Sequence, residues 1–127
     1  MELIFSTANT ELFEIGEEAI EKWKQENPKD EILMALDHPV VAFSGATPVG
    51  LFEVSVDYFA SVMWLDSLWV DPDLRLRGHG TEMFKYIIKT CQYQTLKLYS
   101  ANHSNSFYLR NGMKHSVGNY YEKSIND

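Results

Sequence analysis

The apolar positions of the chain change period several times, and each change marks an element. The opening "ELIFS" reads as a short strand, and Asn9 or Thr10 can cap the helix that follows. In "TELFEIGEEAIEKWKQ" Leu12, Ile15, Ala19 and Trp23 recur at helical spacing, and Phe13 and Ile20 widen the stripe. Glutamates gather at its start and lysines at its end, as a helix dipole favours. "NPKDEILMALDHP" suits a second helix with Pro28 at its first position, although "ILMAL" also fits a strand.

The pattern then becomes extended. "VVAFSG", "PVGLFEVSVD" and "VMWLDSLWV" are separated by short turns and predict three strands in an antiparallel meander. The third is apolar on both faces, with Val62, Trp64, Leu68 and Val70 on one and Met63, Leu65 and Trp69 on the other, so it is expected at the centre of the sheet, covered on both sides. Asp66 interrupts it. Helical period returns in "TEMFKYIIKTC", where Met83, Phe84, Ile87, Ile88 and Cys91 share a stripe. "TLKLYS" is a strand, Ser104 a candidate cap for a short helix "NSFYLRN" that Asn111 and Gly112 would end, and "MKHSV" and "YYEKSI" a hairpin about Gly118 and Asn119. The expected class is α+β, a mixed and mostly antiparallel sheet flanked by helices.

Composition narrows the function. With 127 residues, 45% of them apolar, and no linker-like tract, the chain fits one domain spanning residues 1–127. No apolar run is long enough to span a bilayer and the N-terminus lacks the features of a secretory signal, so a cytoplasmic protein without a membrane partner is expected. A net charge of -7 leaves no basic footprint for nucleic acid. The lone cysteine, Cys91, sits on a core stripe and reads as a buried small hydrophobe rather than a nucleophile. The four histidines, at positions 38, 79, 103 and 115, show no ligand-like spacing, so no metal is expected.

One segment departs from this acidic background. "LWVDPDLRLRGHGTEMF" sets two arginines and two glycines between a strand and a helix. The first amides of a helix have no partner inside it and point outward with the positive end of the dipole, so such a turn can bind an anion. Gly78 and Gly80 let a phosphate approach, while Arg75 and Arg77 add charge. Solvated surface is the alternative for the arginines. A P-loop would need Lys and Ser/Thr where His79, Gly80 and Thr81 stand, and a dinucleotide fingerprint would need a small residue at Met83.

This turn, Arg75-Leu76-Arg77-Gly78-His79-Gly80, resembles the Arg/Gln-x-x-Gly-x-Gly/Ala signature of the GNAT superfamily of N-acetyltransferases. The resemblance extends upstream to "LDSLWVDPDL", with its Val-x-Pro exit, and downstream to "FYLRNGM". Leu76, where the family often has Gly, His79, where an aliphatic residue is usual, and Met113, after Gly112, depart from the pattern. The resemblance implies the acyl-CoA N-acyltransferase fold, with strands splayed at the cofactor cleft, and acetyl-CoA as cosubstrate without a metal. It implies that Leu68, Trp69 and Val70 line the pantetheine arm, with a strand N–H near the carbonyl oxygen. Arg75, Leu76, Arg77, Gly78, His79, Gly80 and Thr81 would hold the phosphates, and Asn102 or Asn105 would contact the cofactor.

Tyr108 matches the family tyrosine that protonates the departing thiolate; a thiol at roughly 8.5 and a phenol at roughly 10 make that transfer not steeply uphill. The alternative is a packing aromatic. Asp66, expected to lose hydration on an apolar strand and so to rise toward a useful pKa, is the first candidate base, and Glu53 on the neighbouring strand the second. Asp66 could instead pair with a lysine. The function implied is direct acetyl transfer to a primary amine of a small molecule or peptide, the alternative being a non-catalytic acyl-CoA or CoA sensor. Tyr58, Tyr120 and Tyr121 are candidate acceptor walls, and the terminal hairpin offers an edge for a homodimer.

Overall fold

The computed structural model describes residues 3–7, 13–26 and 38–125. Seven strands form one sheet in the order β1-β2-β3-β4-β5-β7-β6. They are β1 (Ile4–Thr7), β2 (Val40–Ser44), β3 (Thr47–Asp57), β4 (Val62–Val70), β5 (Thr95–Tyr99), β6 (Lys114–His115) and β7 (Tyr120–Ser124). The helices are α1 (Phe13–Glu26), α2 (His79–Thr90) and α3 (Asn105–Arg110). The mixed sheet and its helices match the expected class, and β4 spans the residues that the sequence assigns to it. The caps at Asn9 or Thr10, the helix from Pro28 and the side chains of Leu12, Phe13 and Ile15 lie outside the described residues.

The residues group into two compact units, one comprising the chain up to Glu53 with Ser67–Met83, the other Val54–Asp66 with the chain from Phe84 onward. In the first, β1, β2 and β3 pair antiparallel, and Ala19 and Trp23 of α1 pack on Val41, Phe43, Leu51 and Trp69 with Ile20 at the margin. Fully burying one such side chain contributes about 1.5–3 kcal/mol, so this cluster fixes which face of α1 meets the sheet. In the second, β4 pairs parallel with β5 from Val62↔Thr95 to Leu65↔Leu98, while β7 runs antiparallel to β5. Phe84, Ile87, Leu96, Leu98, Tyr108, Met113 and Tyr121 are buried there, and Cys91 with them.

β4 is less enclosed than its sequence implies. Met63, Leu65 and Trp69 are buried, but Trp64, Leu68 and Val70 are only half-buried and Asp66 is exposed. Its second face therefore keeps contact with water. Helix α3 ends as expected, with Gly112 at φ +90° and the Met113 amide donating to the Tyr108 carbonyl at 3.0 Å. Ser104 occupies the capping position but makes no side-chain cap bond, because it lies in helical backbone (φ -101°, ψ -3°), where the hydroxyl cannot reach the next turn's amides.

Gly50 sets the path of β4's last residues. A Cβ there would lie 2.3 Å from the Trp69 carbonyl oxygen and 3.2 Å from Val70 Cα, and just beyond, the Asp71 amide donates to the Val49 carbonyl at 2.8 Å. Gly50→Ala is expected to cost about 3 kcal/mol and to lower Tm by roughly 10 °C, because backbone rather than a flexible side chain must move. Thermal unfolding of the variant checks this; an unchanged Tm would show that the strands separate freely.

Candidate functional site

The turn after β4 is built by local backbone chemistry. Asp71 caps a single 3-10 turn, Pro72–Leu74, by accepting the Asp73 amide at 3.0 Å, and Pro72 at the first position needs no donor. Asp71 is itself buried, and Lys22 of α1 reaches its other oxygen at 2.7 Å. Burial alone would raise the Asp71 carboxyl. The Lys22 hydrogen bond, the Asp73 amide and the charges of Lys22 and Arg75 outweigh it and hold the group below the ordinary carboxylate range.

Beyond Arg75 the chain turns twice through left-handed backbone, at Leu76 (φ +66°) and Gly78 (φ +84°). Leu76 is fully exposed and Arg77 exposed, and among the described residues nothing beyond its own chain neighbours lies within 4 Å of the place where a Gly78 Cβ would stand. Helix α2 then starts at His79. The Glu82 amide donates back to the Gly78 carbonyl at 3.1 Å, closing the first turn and leaving the amides of His79, Gly80 and Thr81 at the open end of the helix. The result is an uncluttered concentration of backbone donors with positive dipole, approachable on the Gly78 side.

Arg75 departs from expectation. Its guanidinium pairs with Glu26 at the end of α1, and its Nε donates to the Val70 carbonyl at 3.0 Å. Glu26 also accepts the indole N–H of buried Trp69 at 3.0 Å. Arg75 is thus committed to tying the turn to α1, and Arg77 is the arginine of the loop without a partner among the described residues. Neither Glu26 nor Lys22 was singled out by sequence, since each sits on a helix of alternating charge that gives no sign of which residues face the turn.

A family model described as the acetyltransferase (GNAT) family matches residues 4–113. The chain belongs to the GNAT family of acetyltransferases. Solved structures agree in fold. Tetrahymena GCN5, 14% identical, is covered over 97% of its length with 99% of this chain, at a TM-score of 0.76. N-acetylglutamate synthase from Neisseria gonorrhoeae, solved with coenzyme A and N-acetyl-glutamate, is 10% identical over all of this chain and 36% of that one, at 0.74. YhhK from E. coli, solved bound to coenzyme A, is 16% identical over 98% and 99% of the two chains, at 0.71. A comparison with curated proteins finds no match.

The remaining GNAT candidates fall on both units. Leu68, Trp69 and Val70 close β4 in the first, together with the whole turn from Arg75 to Thr81 and Glu53, whose carboxylate accepts the His38 amide at 2.6 Å. Asp66, Asn102, Asn105 and Tyr108 belong to the second. Asp66 is exposed, so the loss of hydration expected of a carboxylate on an apolar strand does not occur. Asn102 stands in a 3-10 turn, Asn102–Ser104, with its side chain outside the description. Asn105 opens α3 with its amide oxygen buried and lacking a hydrogen-bond partner among the described residues. An orphaned buried acceptor costs about 1–3 kcal/mol, a cost that a ligand donor would remove.

Tyr108 is 8% exposed and packs edge-on to Phe84, with ring centroids 5.7 Å apart. Burial pushes its phenol up to about 12. Against an ordinary thiol near 8.5, proton transfer from it is uphill by roughly 3.5 pK units, about 5 kcal/mol, steeper than the sequence suggested. Tyr121, a candidate wall, is buried against Tyr108 and His115, whereas Tyr120 and Tyr58 are exposed. Among the described residues no cluster of His, Cys, Asp or Glu could hold a metal, and no helix is long and apolar enough to cross a membrane.

Two predictions follow from the turn. Replacing Leu76 by Gly removes the left-handed strain of an L side chain, worth about 1–2 kcal/mol, at an entropic cost of about 0.5–1 kcal/mol. With no packing to lose, Tm is expected to rise by roughly 2 °C; a fall would place the side chain in an unseen contact. The lowered Asp71 pKa contributes stability that is complete above its unfolded value of 3.8 and drains away as pH falls through the folded one. Asp71→Asn, which keeps the cap acceptor, should therefore flatten the acid limb of the stability profile below about pH 5 in denaturant titrations.

Proposed function

We propose that the protein is an acetyl-CoA-dependent N-acetyltransferase that passes acetyl directly to a primary amine. The observation that carries this is the turn, where open space at the Gly78 α-carbon stands beside free helix-start amides in a chain of this family. In this reading the amides of Gly78, His79, Gly80 and Thr81 and the Arg77 side chain hold the diphosphate. Arg75 and Leu76 act through backbone alone. Leu68, Trp69 and Val70 line the pantetheine, and the Asn105 amide oxygen accepts a donor from it. The solved GNAT structures holding coenzyme A support the choice of cosubstrate.

Transfer requires a neutral amine, a donor for the charge developing on the thioester carbonyl oxygen, and a proton for the thiolate that leaves. Asp66 keeps its oxygens free of partners among the described residues, so it takes the ammonium proton, directly or through water; Glu53, engaged with His38, is the second candidate. A strand N–H of Leu68–Val70 supports the carbonyl oxygen. Tyr108 supplies the thiolate proton. The water-poor surroundings that raise its pKa also raise that of a thiol formed in them, which narrows the gap. A free small amine or a peptide lysine would both serve as acceptor chemistry.

Calorimetric titration with acetyl-CoA, followed by thiol release against a panel of amines, tests the reading. Binding with turnover on at least one amine supports it, binding without turnover on any supports a CoA sensor, and no binding removes both. Tyr108→Phe is expected to lower kcat by roughly 10²- to 10⁴-fold with little change in CoA affinity. With the phenol at about 12, the wild-type rate should show no loss from Tyr108 ionisation below about pH 11. A break near pH 9–10 that disappears in Tyr108→Phe would contradict the buried acid.

A further inference from the structure

The second unit turns an aromatic sheet face outward. Strand alternation puts Trp64 and Asp66 on one face of β4, and the register carries that face across the sheet from Trp64. One row runs Trp64, Lys97, Glu122, Lys114, each opposite the next in the pairing. Beyond it Tyr99 stands opposite Tyr120, and Asp66 follows Trp64 on the same face of β4, one residue past the last pair with β5, Leu65↔Leu98. Charges in that row alternate between neighbouring strands, and the Lys97 ammonium lies 5.9 Å from the Trp64 ring centroid. Asp66 is exposed and without an ion-pair partner among the described residues.

On the same face the rings form a platform. Tyr99 is 63% exposed and Tyr120 43%. Tyr120 meets Tyr99 at 5.1 Å and Trp64 at 6.1 Å between centroids, both edge to face. Edge-to-face contact holds the rings in fixed orientation without closing them as a stack would. Large rings in the open on the face that carries the unpaired Asp66 carboxylate match an alkylammonium, whose charge is attracted to both carboxylate and ring faces. Lys97 already shows that chemistry on Trp64. The chain's net charge of -7 steers such a ligand inward and an anion away.

We propose that this face binds a small organic amine in its protonated form, its ammonium against Asp66 and its apolar body along Tyr99 and Tyr120. An amine with a short apolar stem or a ring suits a carboxylate that shares a face with such a platform. The proposal names the acceptor class of the acetyl-transfer reading and rests on that reading for its chemistry. Binding itself does not depend on acetyl-CoA.

Tryptophan fluorescence reads the site, since Trp23 and Trp69 are buried and Trp64 is the half-buried indole of the three. Titration with phenethylamine at neutral pH, without acetyl-CoA, should give a saturable change that 2-phenylethanol, its uncharged analogue, does not reproduce. Tyr120→Ala and Asp66→Asn should each weaken binding by about tenfold, and Tyr120→Phe should preserve it. No saturable change, equal binding of the alcohol, or an unaltered Asp66→Asn overturns the proposal, as does binding of a lysine peptide but not of the free amine. A protein that binds phenethylamine but not acetyl-CoA refutes the transferase reading and leaves this one standing; the reverse result refutes this one alone.

Discussion

The structure turns on how the chain leaves β4. A backbone that stops pairing in a sheet must satisfy its polar groups elsewhere, or hold them in readiness for something that will. Here the inward-facing groups are taken up one by one. The Asp71 amide reaches Val49, the Asp71 carboxylate takes Asp73 and Lys22, and the Val70 carbonyl takes Arg75. Only after that are the amides at the head of α2 left facing out. Gly50 permits the close approach on one side, and Glu26 anchors Arg75 and Trp69 on the other.

That division of labour separates two arginines which look equivalent in the sequence. Arg75 falls where the backbone is still extended, so its long side chain folds back along β4 toward the end of α1. Arg77 follows the left-handed step at Leu76 and is thrown outward. Leu76 also shows why glycine suits its position: the left-handed φ is set by the turn whichever residue stands there, and leucine bears the strain.

Much of the fold was legible in the sequence because period and punctuation agree. β4 is a mostly apolar run and β5 an alternating one, both bounded by turn residues, α2 follows glycines with an unbroken apolar stripe, and Gly112 stops α3. The site was legible only as far as backbone dictates it. The glycine pattern located the turn, since open space and positive φ are properties of residue type. The partners of Arg75, the engagement of Glu53 and the exposure of Asp66 were not legible, because they depend on which neighbouring side chains reach each position. Asp66 is the clearest case. Apolar neighbours in sequence suggested dehydration, but alternation sends the flanking Leu65 to the buried face and Asp66 to the open one. The Trp64, Tyr99 and Tyr120 face was missed for a related reason, since three rings from three strands form a group only once the register is known.

The central claim is that amides at the start of α2 grip a diphosphate. The most direct measurement is a 1H–15N correlation spectrum of the labelled protein titrated with coenzyme A. The account predicts that the amides of Gly78, His79, Gly80 and Thr81 move most and saturate together. If those four stay in place while coenzyme A shifts resonances elsewhere, or shifts none, the anion site is not where the backbone places it.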